Sequence, residues 1–177
     1  MTVDEFLAWV EGREGRHELH GGHVVAMSPE RVGHITMKGR VFRALGDAIG
    51  TAGLACHALP DGATVRVPDA SCYEPDALVY CGPLTHDAQE ISNPIIVARK
   101  GCCHLRARIS MSLASWPATS VPSVVHYLVI DPDEPAWCHS GRQRRSAASY
   151  REARSCLIRR DSSSIPFNLS IHPAHSN

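Results

Sequence analysis

The apolar positions of the chain change period along its length, and each change marks an element. "TVDEFLAWVEG" opens with Thr2 and Glu5 at capping-box spacing, where each side chain can satisfy the other's backbone donor. Phe6, Leu7 and Val10 follow at helical spacing, and Gly12 ends the segment. In "HELHGGHVVAM" two short segments flank Gly21-Gly22, the pattern of a β-hairpin. Ser28-Pro29-Glu30 predicts the start of a second helix, with proline in its first turn. Ile35, Val41, Phe42, Leu45 and Ile49 are its expected buried side, and Gly50 and Gly53 its end.

Beyond Gly53 the period shortens. "LACHAL", "TVRVPD" and "DALVYC" read as strands, separated by a turn at Pro60-Asp61-Gly62 and a loop around Ser71. "PIIVA" and "SVVHYLVID" are two further strands. Helix, hairpin, helix and then a run of strands predicts an α+β fold.

Length and composition narrow the class. A chain of 177 residues is expected to be one domain. No apolar run approaches the roughly 20 residues of a membrane span, so no membrane partner is expected. The N-terminal stretch lacks the basic-then-apolar order of a signal peptide, which points to the cytoplasm. The net charge is zero but unevenly placed: residues 1–97 hold seven Lys and Arg against thirteen Asp and Glu, and residues 98–177 hold eleven against five. Serine divides at the same place, three before residue 98 and fourteen after. Either the second half is a basic nucleic-acid-binding region, or the two halves do not share a coding history. The seven cysteines are irregularly spaced and read as free thiols. Adjacent Cys102-Cys103 lacks the ligand spacing of a structural zinc site.

Two carboxylates stand where chemistry needs them. Asp76 follows Pro75 at the start of an apolar strand and so projects from the mouth of a sheet; Glu18 begins the early hairpin. Acidic oxygens are the ligands Mg²⁺ selects, and a cation held by them can activate water and stabilise a phosphoryl transition state. The same residues also suit a turn cap and a solvated strand end.

"HELHGGHVVAMSPERVGH", "LPDGATVRV", "YEPDALVYCG" and "VPSVVHYLVIDP", taken in order, resemble the Uma family of endonucleases within the PD-(D/E)XK restriction-endonuclease-like superfamily. The resemblance covers residues 1–97 and 121–135. It implies an α+β fold with a mixed central sheet flanked by helices, a divalent metal (Mg²⁺ or Mn²⁺) at the sheet edge, and hydrolysis of a DNA phosphodiester. Asp76 matches the Pro-Asp signature and is the implied principal metal ligand and catalytic residue. Glu18 matches the family's early glutamate, as a second ligand or to orient the attacking water. His34 matches the histidine that opens the long helix, where helix packing and ligation are both open. A dimer is compatible with the resemblance, which sets no oligomeric state.

The family's next element departs from the pattern. After "PIIV" the family has a strand reading roughly Val-Glu-Val-Leu-Ser-Pro, then a lysine-bearing helix and Tyr-Phe. Here "ARKGCCHLRARISMSLASWPATS" stands instead, and Lys100 lies too early, beside Arg99. Codons for Cys-Cys-His-Leu, read two bases on, permit Leu-Ser-Pro; those for Ser-Trp-Pro-Ala-Thr-Ser permit Val-Ala-Gly-Tyr-Phe in the same frame. A glutamate codon is permitted across Arg99 and Lys100, and the lysine is not. The hypothesis is that residues 98–121 are read in a shifted frame. Resequencing codons 95–125 tests it, and an uninterrupted read in the present frame defeats it. The expected organisation is a restriction-endonuclease-like domain over 1–135, aberrant at 98–121 and incomplete in its C-terminal half, then an irregular Arg/Ser-rich tail over 136–177. The expected function is a metal-dependent endonuclease impaired by the missing glutamate and lysine. The alternative is an inactive remnant or a nucleic-acid-binding protein, for which "GRQRRSAASYREARSCLIRR" would supply phosphate contacts.

Overall fold

The computed structural model describes residues 1–67, 70–100, 121, 123–124, 126–131, 136–145 and 149–158. The first helix, α1 (Val3–Val10), carries the predicted capping box: Thr2 Oγ1 accepts from the Glu5 amide and Glu5 Oε2 from the Thr2 amide. Its Phe6 is fully buried against Leu19 and Cys72. Strands β1 (His17–His20) and β2 (His23–Ala26) form the expected hairpin, with His20 opposite His23. Gly21 and Gly22 have φ of 53° and 80°. A two-residue turn of this kind needs a positive φ at both positions, which is why the glycine pair is there.

The long helix α2 (Val32–Ala52) starts later than Ser28 suggests, and Gly53 closes it in the left-handed conformation at φ 62°. Val41, Leu45 and Ile49 are buried as expected, but Ile35 and Phe42 are 54% and 36% exposed. Lys38 lies on the buried stripe in their place, 8% exposed. The stripe at 38, 41, 45 and 49 keeps i+3/i+4 spacing, and carboxylates facing Lys38 make its burial tolerable.

The remaining strands are β3 (His57–Pro60), β4 (Val65–Val67), β5 (Ser71–Tyr73), β6 (Ala77–Tyr80), β7 (Ile96–Lys100), β8 (His126–Asp131), β9 (Ala136–Arg145) and β10 (Ser149–Ile158). They form a four-stranded sheet in the order β2-β1-β5-β4 and a six-stranded sheet in the order β10-β9-β8-β7-β6-β3. The larger sheet is mixed: β7 and β8 run parallel and its other pairs antiparallel. The expected loop at Ser71 is therefore a strand. It is three residues long and buried throughout, so it shows no alternation.

Alternation in the six-stranded sheet sets its two faces. Ala77, Val79, Ile96, Ala98 and Leu128 meet Val41, Leu45 and Ile49 of α2. Leu78, Val97, Tyr127 and Val129 point the other way and meet Val65, Val67 and Tyr73 of the smaller sheet. Covering both faces accounts for the near-continuous apolar runs of β6 and β7.

Two further expectations change. Cys56 and Cys81 are joined in a disulfide rather than free. The β3–β6 register pairs His57 with Tyr80, so the next pair outward brings these two cysteines opposite each other, with Cα atoms 4.0 Å apart. The irregular tail expected from residue 136 contains β9 and β10, because the free edge of β8 pairs with β9 and β9 with β10. Of the segment expected to be aberrant, Ala98, Arg99 and Lys100 belong to β7. The expectations for 101–120 and 159–177 lie outside the described residues. Among the described residues no helix is long and apolar enough to cross a membrane.

Candidate metal centre

Asp76 immediately precedes β6, and its amide donates to the Ala98 carbonyl of β7 at 3.0 Å. This backbone bond fixes the aspartate at the sheet's edge. The start of α2 lies above it. Glu30 stands just before the helix and His34 in its first turn, four residues on and facing the same way. Ligand atoms of Glu30, His34 and Asp76 all lie within 4.8 Å of one another. His34 Nε2 is 3.2 Å from Asp76 Oδ1, and His34 Nδ1 is 3.7 Å from Glu30 Oε2. Nε2 is buried and makes no hydrogen bond.

Whether the residues fit a cation turns on this nitrogen and the carboxylates around it. A buried imidazole nitrogen needs a partner, and an N–H aimed at Asp76 or a metal ion held between the two groups supplies one. Ligands at right angles around a metal at ~2.1 Å sit ~3.0 Å apart, close to the His34–Asp76 separation. The donor set of two carboxylates and one imidazole fits a divalent cation. The imidazole moves its preference from Mg²⁺, which takes oxygen, towards Mn²⁺ and later metals.

Glu18 is held differently. It is buried on β1; its Oε1 accepts from the Glu74 amide at 3.0 Å and from Arg99 Nη2 at 2.9 Å, and its Oε2 accepts from the same nitrogen at 2.7 Å. Arg99 follows Ala98, which pairs with Ala77 across the β6–β7 ladder, so Arg99 stands beside Asp76. Burial disfavours its charge, but Glu18, with Tyr127 and Asp76, outweighs burial and holds the guanidinium above its ordinary range. The two carboxylates expected to act together thus both border Arg99. The group of three ligands is completed by Glu30 and His34, not Glu18.

Further cations thread the cluster. Lys38 donates to both oxygens of Glu30 at 2.8 Å and to Asp61 Oδ2, and lies 3.7 Å from Asp76 Oδ1. Arg16 bridges Glu30, Asp61 and Glu74. Burial pushes the Glu30 carboxyl up, but Lys38, His34 and Arg16 outweigh it and hold it below the ordinary range. Burial likewise opposes the Lys38 charge, and Asp61 and Glu30 raise it above its ordinary value. The cleft between α2 and the sheet is lined by His34, Lys38, Asp76 and Arg99, with Met37, Val41 and Ala98 as its apolar wall.

Glu30, Lys38, Asp61 and Arg99 carry no role in the sequence reading. A signal for two of them is present: Glu30, His34 and Lys38 repeat every four residues, the spacing of one helical face, although Glu30 itself precedes α2.

A profile of the Uma2 family, described as "Putative restriction endonuclease", matches residues 3–98. The match ends one residue before Arg99. No curated protein matches the chain. Among solved structures, a "putative nuclease belonging to DUF820" from Anabaena variabilis superposes with a TM-score of 0.63 at 13% identity, covering 90% of this chain and 85% of its own. At that identity the likeness speaks for the fold, and it agrees with the α+β architecture described above. The profile match spans more than half of the sequence and includes Asp76, Glu30 and His34: the chain belongs to the Uma2 family of restriction-endonuclease-like proteins.

Proposed function

We propose that this chain is a divalent-metal-dependent DNA endonuclease of reduced power. The observation that carries the reading is the convergence of Glu30, His34 and Asp76, whose ligand atoms all lie within 4.8 Å of one another. Asp76 and Glu30 would supply the charge that holds the cation, and His34 would supply its neutral imidazole. Bound there, a divalent cation provides Lewis-acid stabilisation of a phosphoryl group and an acidified water. Lys38 and Arg99 border the cleft as positive charges and can attract and orient a phosphodiester. Family membership supports nucleic acid as the substrate class.

Arg99 accounts for the reduction in power. The family resemblance expects a glutamate on the strand after "PIIV", and β7 carries Arg99 beside Asp76 instead. A cation there repels a divalent ion, and Arg99 also engages Glu18. The same observation favours a second reading, in which the chain binds nucleic acid without cleaving it.

The test is cleavage of supercoiled plasmid and single-stranded DNA with Mn²⁺ or Mg²⁺, comparing the parent with Asp76→Ala. The proposal expects slow, Mn²⁺-dependent nicking that Asp76→Ala abolishes. Equal cleavage by both proteins, or none by either at any metal concentration, overturns it.

A further inference from the structure

Lys38 is a buried ammonium on the apolar stripe of a helix, an expensive place for a charge without compensation. Its partners come from three separate parts of the chain. Glu30 precedes α2, Asp61 lies in the turn after β3, and Asp76 precedes β6. Two of those three, Glu30 and Asp76, are also members of the three-ligand group with His34. The ammonium therefore reaches oxygens that a divalent cation would need. Asp61 belongs to its partners but not to the ligand group.

Resting on the metal-site reading above, we infer that Lys38 is a built-in competitor for the divalent cation, and that Asp61 is the carboxylate that keeps Lys38 when the cation enters. Lys38, with Arg16 at Glu30 and Arg99 beside Asp76, offsets the negative charge of the cluster in the metal-free protein. Cation entry requires the ammonium to leave Glu30 and Asp76. Its long, flexible stem allows this movement while the bond to Asp61 persists. Metal affinity is set by this exchange as well as by the ligands, because an ammonium a few ångströms from the incoming ion repels it. Asp61 then acts at a distance from the metal. By holding Lys38 aside it favours binding, although it is not itself a ligand. Arg16, which also reaches Asp61 and Glu30, remains fixed by Glu74 and is not part of the exchange.

The experiment titrates Mn²⁺ alone into the full chain, with free Mn²⁺ read by electron paramagnetic resonance. The proteins are the parent, Lys38→Met, Asp61→Asn and Asp76→Ala, each checked for folding by circular dichroism. Lys38→Met is expected to bind Mn²⁺ about tenfold or more tightly than the parent. Asp61→Asn is expected to bind about threefold or more weakly, since Lys38 then depends wholly on the ligand carboxylates. A purely structural role for Lys38 predicts the opposite sign for Lys38→Met, because a loosened cluster binds less well. Folded Lys38→Met that binds no more tightly than the parent overturns the inference. So does Asp61→Asn binding as the parent does, which is decisive even if Lys38→Met fails to fold. If Asp76→Ala loses binding in either case, the metal-site reading stands and only the role of Lys38 falls. If Asp76→Ala binds like the parent, the metal-site reading falls too.

Discussion

Arg99 and Glu18, 81 residues apart in sequence, meet with one guanidinium nitrogen 2.9 and 2.7 Å from the two carboxylate oxygens. The contact joins the small sheet, through β1, to the large sheet, through β7. It also determines which carboxylates are available beside Asp76. Removing one partner from such a pair leaves the other charge uncompensated in a largely buried place. Glu18→Gln is therefore expected to cost about 3 kcal/mol, the low end for a buried pair because Arg99 retains some solvent contact. Arg99→Met combined with Glu18→Gln should cost less than the two single changes added together. Urea unfolding of the three variants measures this coupling, and strictly additive losses would mean that the pair contributes nothing specific.

The disulfide makes a separate prediction. Cys56 and Cys81 fasten β3, the edge strand of the six-stranded sheet, to β6 across a separation of 25 residues. Closing a loop of that size removes freedom from the unfolded chain and contributes about 2–4 kcal/mol. Cys81→Ser should lower stability by about that amount, and a reducing agent should do the same to the parent but not to the variant. Thermal unfolding with and without dithiothreitol checks it. A parent indifferent to reductant would contradict the pairing.

Cys72 should behave in the opposite way. It is fully buried on β5, and burial pushes its thiol up to about 11, with a hydrogen bond to Thr64 only partly opposing the shift. The thiolate is the reactive form, so the native protein at pH 8 should leave Cys72 unalkylated while unfolding in urea exposes it. Because the folded value is raised, the stability linked to this group is full below its ordinary value of 9.0 and is lost as pH rises towards 11. Peptide mapping after iodoacetamide treatment reads the modification at this residue. Rapid labelling of Cys72 in the native state at pH 8 would contradict its burial.

Features set by neighbours in sequence were legible before the fold was known. Thr2 and Glu5 cap α1 because the capping box is local, and Gly21-Gly22 and Gly53 mark turns that need positive φ. The apolar runs of β6, β7 and β8 gave the large sheet. Where a tertiary partner chooses, local pattern was insufficient. Ile35 and Phe42 fit the helical period as well as Val41 does, but the sheet covers an adjacent stripe and admits Lys38 because Glu30 and Asp61 meet it. β5 is too short and too evenly buried to alternate. The bond between Cys56 and Cys81 depends on strand register, which no local pattern supplies.

The candidate site divides in the same way. Asp76 stood out as a candidate because Pro-Asp at the head of an apolar strand matches the signature of the family that the sequence resembles. Glu30 and Lys38 share the face of His34, but their meaning depends on Asp61 and Asp76, which arrive from distant turns. Glu18 was legible as a carboxylate of interest, whereas its engagement by Arg99 emerged only from the packing of two sheets.

On the function proposed above, Asp76 anchors a metal-dependent nuclease site that the cation at position 99 holds in check. Arg99→Glu places a carboxylate there, and Arg99→Gln removes the charge alone. With circular dichroism confirming the fold, Mn²⁺-dependent plasmid nicking is measured for the parent, both variants and Arg99→Glu combined with Asp76→Ala. Nicking is expected to be about 10²–10³-fold faster in Arg99→Glu than in the parent, on the scale that one preplaced catalytic group contributes. Arg99→Gln should fall between the two, and the combined variant should be silent. Folded Arg99→Glu and Arg99→Gln that nick no faster than the parent, or cleavage that survives the loss of Asp76, would contradict the account.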